Sequence, residues 1–88
     1  MLIDTLKHYG FSEKEAKVYL ANLELGNSIA SSIARKAGEN RVTTYSLLKE
    51  LMKRGIVHEI NKDGVKYFSA ISPKDLIKQE EQKIERLK

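Results

Sequence analysis

Cysteine and tryptophan are missing from these 88 residues, and proline occurs once. Without cysteine there is no disulfide, no thiolate metal ligand and no thiol nucleophile. His8 and His58 stand alone, with no Asp or Glu at ligand spacing, so neither a metal site nor acid-base catalysis is expected of them. A nucleophile-base pair, a glycine-rich phosphate loop and a carboxylate dyad are all absent. The expectation is a protein that is not an enzyme and carries no cofactor. No apolar run approaches the ~20 residues that span a bilayer. Met1 to Tyr9 has Asp4 and Lys7 within its apolar pattern and no small-residue cleavage site, so it does not read as a signal peptide, and a cytoplasmic protein is expected. Internal repeats, low-complexity tracts and linkers are also lacking.

What is present is a globular composition, 41% hydrophobic and 32% charged. A chain of this length buries only roughly 60 to 65% of its unfolded surface, which makes a partner chain plausible. The net charge is +4, and its position matters more than its size. Charges cancel over residues 1–40. Residues 41–71 carry Arg41, Lys49, Lys53, Arg54, Lys62 and Lys66 against Glu50, Glu59 and Asp63, and residues 72–88 hold one further cation in excess. A polyanionic partner accounts for that distribution.

The stretch Asn40 to Gly55 organises the rest. At ~100° per residue, Thr44, Tyr45, Leu47, Leu48, Leu51 and Met52 gather on a core-facing side, and Val42, Thr43, Ser46, Lys49, Glu50 and Lys53 on the other. Asn40 is the expected N-cap, and Gly55 after Lys53 and Arg54 the expected stop. The outer face opens with small hydrogen-bonding groups, one methyl-bearing side chain and a flanking Arg41, so another macromolecule can approach it closely.

Ahead of it, Leu2, Ile3, Leu6 and Tyr9 recur at helical spacing up to Gly10. Ser12 and Glu15 form a capping box with Phe11 and Ala16 at the staple positions; Ala16, Tyr19, Leu20 and Leu23 then mark a core helix closed by Gly26. A short helix within 27–38 turns Ile29, Ala30, Ile33, Ala34 and Ala37 inward, with Ser28 as its cap. The turn Gly38-Glu39-Asn40 has the length of a helix-turn-helix connection. After Gly55 the period falls to about 2: Ile56, His58 and Ile60 alternate with Val57 and Glu59, Asn61-Lys62-Asp63-Gly64 signals a hairpin, and Val65 to Ile71 returns as a second strand. Ser72 caps a last helix with Pro73 at its first position. Leu76, Ile77, Glu80, Ile84 and Leu87 form a narrow stripe along it, suited to a dimer seam or to a lid on its own domain, with the dimer expected.

This order describes a mainly α fold with a β-hairpin wing: a winged helix-turn-helix over residues 1–71, followed at 72–88 by a C-terminal helix for dimerisation. Gly10-Phe11-Ser12, Glu15-Ala16-Lys17-Val18-Tyr19-Leu20, Leu23 and Gly26 resemble the opening of the DNA-binding domain of TrmB-type transcriptional regulators of archaea and bacteria. The resemblance continues through Ile33-Ala34, then Arg41, Tyr45, Leu48, Leu51 and Gly55, then Phe68, Ala70 and Pro73. Ile29 and Ser32 depart from the family's Thr-x-x-Glu box, and Asn40 stands where proline is frequent. Many members of that family continue into a C-terminal sugar-sensing domain; these 88 residues imply no small-molecule effector.

On this reading the partner is double-stranded DNA and the helix at 41–54 enters the major groove. Val42, Thr43 and Ser46 meet base edges, and Arg41, Lys49 and Lys53 meet phosphates or a guanine. Lys62 and Lys66, in the wing at 61–66, contact the backbone or the minor groove, although lysines at a hairpin tip also guard a strand edge. Asn27 and Ser28 are expected to cap rather than to bind phosphate, and Tyr19 and Tyr45 to be core residues. The expected function is a homodimeric, sequence-specific transcriptional regulator in the cytoplasm, on the nucleoid. A chromatin-type protein that coats DNA without sequence preference and a winged-helix protein-interaction adaptor are the alternatives.

Overall fold

A computed structural model of the chain describes residues 2–86, and side-chain surroundings over 3–83. Five helices and one hairpin follow in the order α1 (Leu2–His8), α2 (Glu13–Leu25), α3 (Ala30–Ala37), α4 (Arg41–Lys53), β1 (Val57–Lys62), β2 (Val65–Ala70) and α5 (Pro73–Arg86). The caps sit where local chemistry puts them. Ser12 and Glu15 complete a reciprocal capping box at α2. The Asn40 side chain accepts from Thr43 N at 2.7 Å, and Ser72 Oγ from Asp75 N at 3.1 Å. In the hairpin turn Asp63 and Gly64 have φ of 53° and 78°, the pair of positive angles that a type I′ turn requires.

Helix α2 is the central element, packed against α1, α3, α4 and β2. Contact on several sides widens its buried surface beyond the expected stripe. Val18, Ala21 and Asn22 are buried with Ala16 and Tyr19, while Leu20 and Leu23 are only partly so. One core joins Leu6, Phe11, Tyr19, Ile33, Leu48, Leu51, Ile56, Phe68 and Leu76, so every helix and the base of the wing contribute to it. This is a winged helix-turn-helix with a further C-terminal helix.

Three expectations need correction. Ser28 does not cap α3: Ile29 holds the cap position with no side-chain bond, because residue 28 forms an antiparallel bridge to β2. Ser28 N donates to Phe68 O at 3.1 Å and Phe68 N to Ser28 O at 2.8 Å. The strand alternation fails as well. Ile56 and Val57 are both buried at the wing's root, whereas Ile60, opposite Tyr67, is 44% exposed. Beyond Val57 every β1 side chain is exposed, and on this stretch of the ribbon it is Phe68 of β2, opposite Glu59, that reaches the core.

The third concerns α5. Leu76 is 1% exposed and lies in the domain core. Glu80 is also buried, 3.4 Å from Arg54 Nη2, and Gln79 Nε2 donates to Arg54 O at 2.6 Å. The first turns of α5 therefore act as a lid on their own domain, and Leu76 and Glu80 are not available to a partner. Ile77 faces outward at 37% exposure, while the Ile84 side chain and Leu87 lie outside the described residues.

Tyr19 ties this lid to α2. Its hydroxyl donates to Ile71 O at 2.8 Å, and its pKa rises from the ordinary 10.0 to about 12, through burial and then through the negative charge of Asp75. Below pH 10 folded and unfolded chains both keep the phenolic proton. Between pH 10 and about 12 the unfolded chain ionises first and stability falls. In urea unfolding, the stability advantage of the parent over Tyr19→Phe is expected to narrow across that interval; a gap independent of pH would contradict the buried hydroxyl. Leu76→Ala is expected to cost about 2–5 kcal/mol, against about 0.5 kcal/mol or less for Ile77→Ala. Equal effects in the same assay would remove α5 from the core.

Candidate nucleic-acid interface

Helix α4 presents its outer face as its periodicity requires. Val42 is 82% exposed, Arg41, Ser46, Lys49 and Lys53 are exposed, and Thr43 is half-buried under the Asn40 cap. An exposed valine at the start of a capped helix contributes nothing to the core, and its methyls are free for an apolar contact. Further along, Lys53 pairs with Glu50 at 3.3 Å, an exposed i,i+3 contact that water and salt weaken.

The wing lies beside this face, and a cleft of about 720 Å³ runs between them. Arg41, Val42 and Tyr45 form its α4 side, Gly64, Val65 and Lys66 its wing side, with Ile29, Ala30 and Ser31 at the start of α3 and Phe68 completing it. The expected site residues Arg41, Val42 and Lys66 are thus gathered around one opening. Thr43, Ser46, Lys49 and Lys53 continue along α4 away from it. Lys62 lines a separate recess of about 330 Å³ with Asn27, Ile60, Asp63, Val65 and Tyr67.

Two aromatic residues fix this geometry. Phe68 is buried, and Tyr45 stands edge-on to it with ring centroids 6.2 Å apart. The Tyr45 ring then carries Lys49 at 4.9 Å and Lys66 at 5.7 Å from its centroid. Lys66 Nζ donates to the Tyr45 hydroxyl at 3.1 Å and lies 3.8 Å from Glu59. That hydrogen bond first, and the neighbouring Tyr45 and Glu59 after it, raise the Lys66 pKa, so this ammonium stays charged at neutral pH. Tyr45 was expected in the core, and half of that holds: the ring is packed and the hydroxyl is out. A sequence signal existed in Arg41, Tyr45 and Lys49, which share one edge of the helix at i, i+4, i+8.

Arg54 leaves the basic surface. Its guanidinium lies 4.7 Å over the Phe11 ring, and Nη2 donates to Tyr9 O at 3.1 Å as well as facing Glu80. The Ser28 N–H, bonded to Phe68 O, is likewise unavailable to a phosphate. His8 packs edge-on to Tyr9 with centroids 5.6 Å apart. Among the described residues no three His, Asp or Glu converge as metal ligands, and no helix is long and apolar enough to cross a membrane.

Comparison with known proteins places this arrangement. The structure of TrmBL2, described as an archaeal chromatin protein, superposes with a TM-score of 0.86 at 19% identity over 97% of this chain and 34% of its own. The ST1889 protein of the thermoacidophilic archaeon Sulfolobus tokodaii gives a TM-score of 0.73 at 19% identity, covering 99% of this chain and 95% of its own. At these identities the likeness is one of fold. In sequence, the Uncharacterized protein YrhO of Bacillus subtilis (strain 168) is 32% identical over 84 residues, which is 96% of this chain and 30% of that protein. The chain therefore spans less than a third of the curated relative it matches. The family described as "Sugar-specific transcriptional regulator TrmB" matches residues 6–74, from the end of α1 to the start of α5. The chain belongs to the TrmB family of DNA-binding, winged-helix transcriptional regulators.

Proposed function

We propose that this chain is a sequence-specific, double-stranded DNA-binding regulator that acts as a homodimer, with α4 in the major groove and the wing on the backbone or the minor groove. One observation carries the reading: the exposed start of α4, where Val42, Thr43 and Ser46 offer a methyl-bearing and two hydroxyl-bearing side chains between Arg41 and Lys49. Small groups of this kind reach base edges, and the flanking cations neutralise phosphates. Family membership supports DNA as the partner and, with it, a place on the nucleoid. No effector is assigned to these residues, since YrhO and TrmBL2 extend well beyond the third of their length that this chain matches.

For the dimer, the outward Ile77 and the exposed positions beside it on α5 supply the seam. Two copies would then read half-sites about 34 Å apart, which offsets the modest affinity of a single small domain. A second reading, DNA coating without sequence preference, draws support from the fold shared with TrmBL2.

The parent chain, titrated against random duplex DNA and a genomic fragment pool at several salt concentrations, is expected to bind with steep salt dependence. It should hold a subset of fragments about 10³-fold or more tighter than random DNA. An Arg41→Ala, Ser46→Ala double variant is expected to lose that subset first. Salt-dependent binding with no enriched subset would favour coating, and no binding at low salt would defeat both readings. In sedimentation equilibrium the parent is expected to be dimeric and Ile77→Asp monomeric with its fold intact; a monomeric parent would remove the seam.

A further inference from the structure

The cleft between α4 and the wing contains a polar pair that the contacts proposed above leave unexplained. Tyr45 is fixed from beneath by buried Phe68, and its hydroxyl reaches the surface. Lys66, on the opposite wall of the cleft, donates to that hydroxyl at 3.1 Å. A phenol oxygen that accepts from an ammonium keeps its own O–H proton for a third group. Among the described residues no acceptor takes it. The ammonium, with three N–H bonds, directs one to Tyr45 and faces Glu59 at a looser 3.8 Å. Two donors from two different elements therefore lie 3.1 Å apart in a cleft that Arg41, Val42 and Val65 also line.

We propose that Tyr45 Oη and Lys66 Nζ form one composite subsite for a phosphate oxygen of the DNA strand that passes between helix and wing. The proposal rests on the DNA-binding reading and adds to it a residue that joins the two binding elements. A phosphodiester fits because its oxygens only accept, as this point requires, and because the deoxyribose on either side of it suits the valine walls. A donor pair that includes a charge also makes the stronger class of hydrogen bond to an anionic oxygen. Tyr45 acts here both as a donor and as the positioning residue for Lys66.

The test is a fluorescence-anisotropy titration of a random-sequence duplex, at several salt concentrations, with the parent, Tyr45→Phe, Lys66→Met and the double variant. The ring is kept in Tyr45→Phe, so circular dichroism and the melting temperature are expected to match the parent. Its affinity is expected to fall about 3- to 10-fold, the order of one hydrogen bond, with the slope of log K against log salt unchanged. Lys66→Met is expected to lose affinity and to lower that slope by about one. The double variant is expected to bind no more weakly than the product of the two losses divided by a coupling of about 3-fold or more. Parent-like affinity of a folded Tyr45→Phe, or strictly multiplicative losses, would overturn the subsite and leave the DNA reading standing. Failure of the parent to bind at low salt would instead defeat the DNA reading and the subsite with it.

Discussion

The backbone of Phe68 is the fixed point on which the surface between α4 and the wing depends. Its carbonyl accepts from Ser28 N and, at 2.9 Å, from the buried Asn22 Nδ2, while its N–H returns a bond to Ser28. These bonds make β2 an inner strand, flanked by β1 on one side and by residue 28 on the other. They also tie it to α2, the helix that α1, α3 and α4 all pack against. A two-strand ribbon alone is marginal in water. Anchored here, it has a defined root, and the Phe68 ring beneath Tyr45 carries that definition across to α4.

The far end of α4 is held by a different kind of contact. Arg54 joins a carbonyl at the end of α1, the face of Phe11 and the carboxylate of Glu80, and its own carbonyl receives Gln79. Pairing of a part-buried guanidinium with a carboxylate and a backbone oxygen satisfies groups that would otherwise be costly to desolvate. The result connects α1, the start of α2 and α5 to the residue that ends α4. The helix is thus fixed at its start by a cap and at its finish by a cation that its position in the sequence would assign to the surface.

What the sequence made legible was local. Ser12 with Glu15, Asn40, Ser72 and Asp63-Gly64 each act on neighbours within a few residues, and each did so in the fold. The exposed side of α4 was equally readable, since periodicity alone decides it. Ser28 was not, because a cap and a strand bridge are both open to it and the choice depends on a partner 40 positions away. The strand faces were misjudged because alternation presumes a layer along one whole side, and past Val57 only Phe68 of β2 meets the core while β1 meets none. Arg54 and Glu80 share a different obstacle: a long-range pairing of a cation, a ring and a carboxylate leaves no period. Tyr45 divides between the two cases, its ring following the helical pattern and its hydroxyl following Lys66.

The uncovered ribbon has a consequence for how such a protein changes over time. Although Asp63 and Gly64 are held by the positive φ of their turn, the side chains of His58 to Lys62 and of Val65 are exposed and complete no core, so they can be exchanged at almost no cost to folding. The same holds for the exposed positions at the start of α4. A lineage carrying this domain can therefore change the side chains that its wing and the start of α4 present, by single steps through stable intermediates, while Phe68, Arg54 and the core stay put.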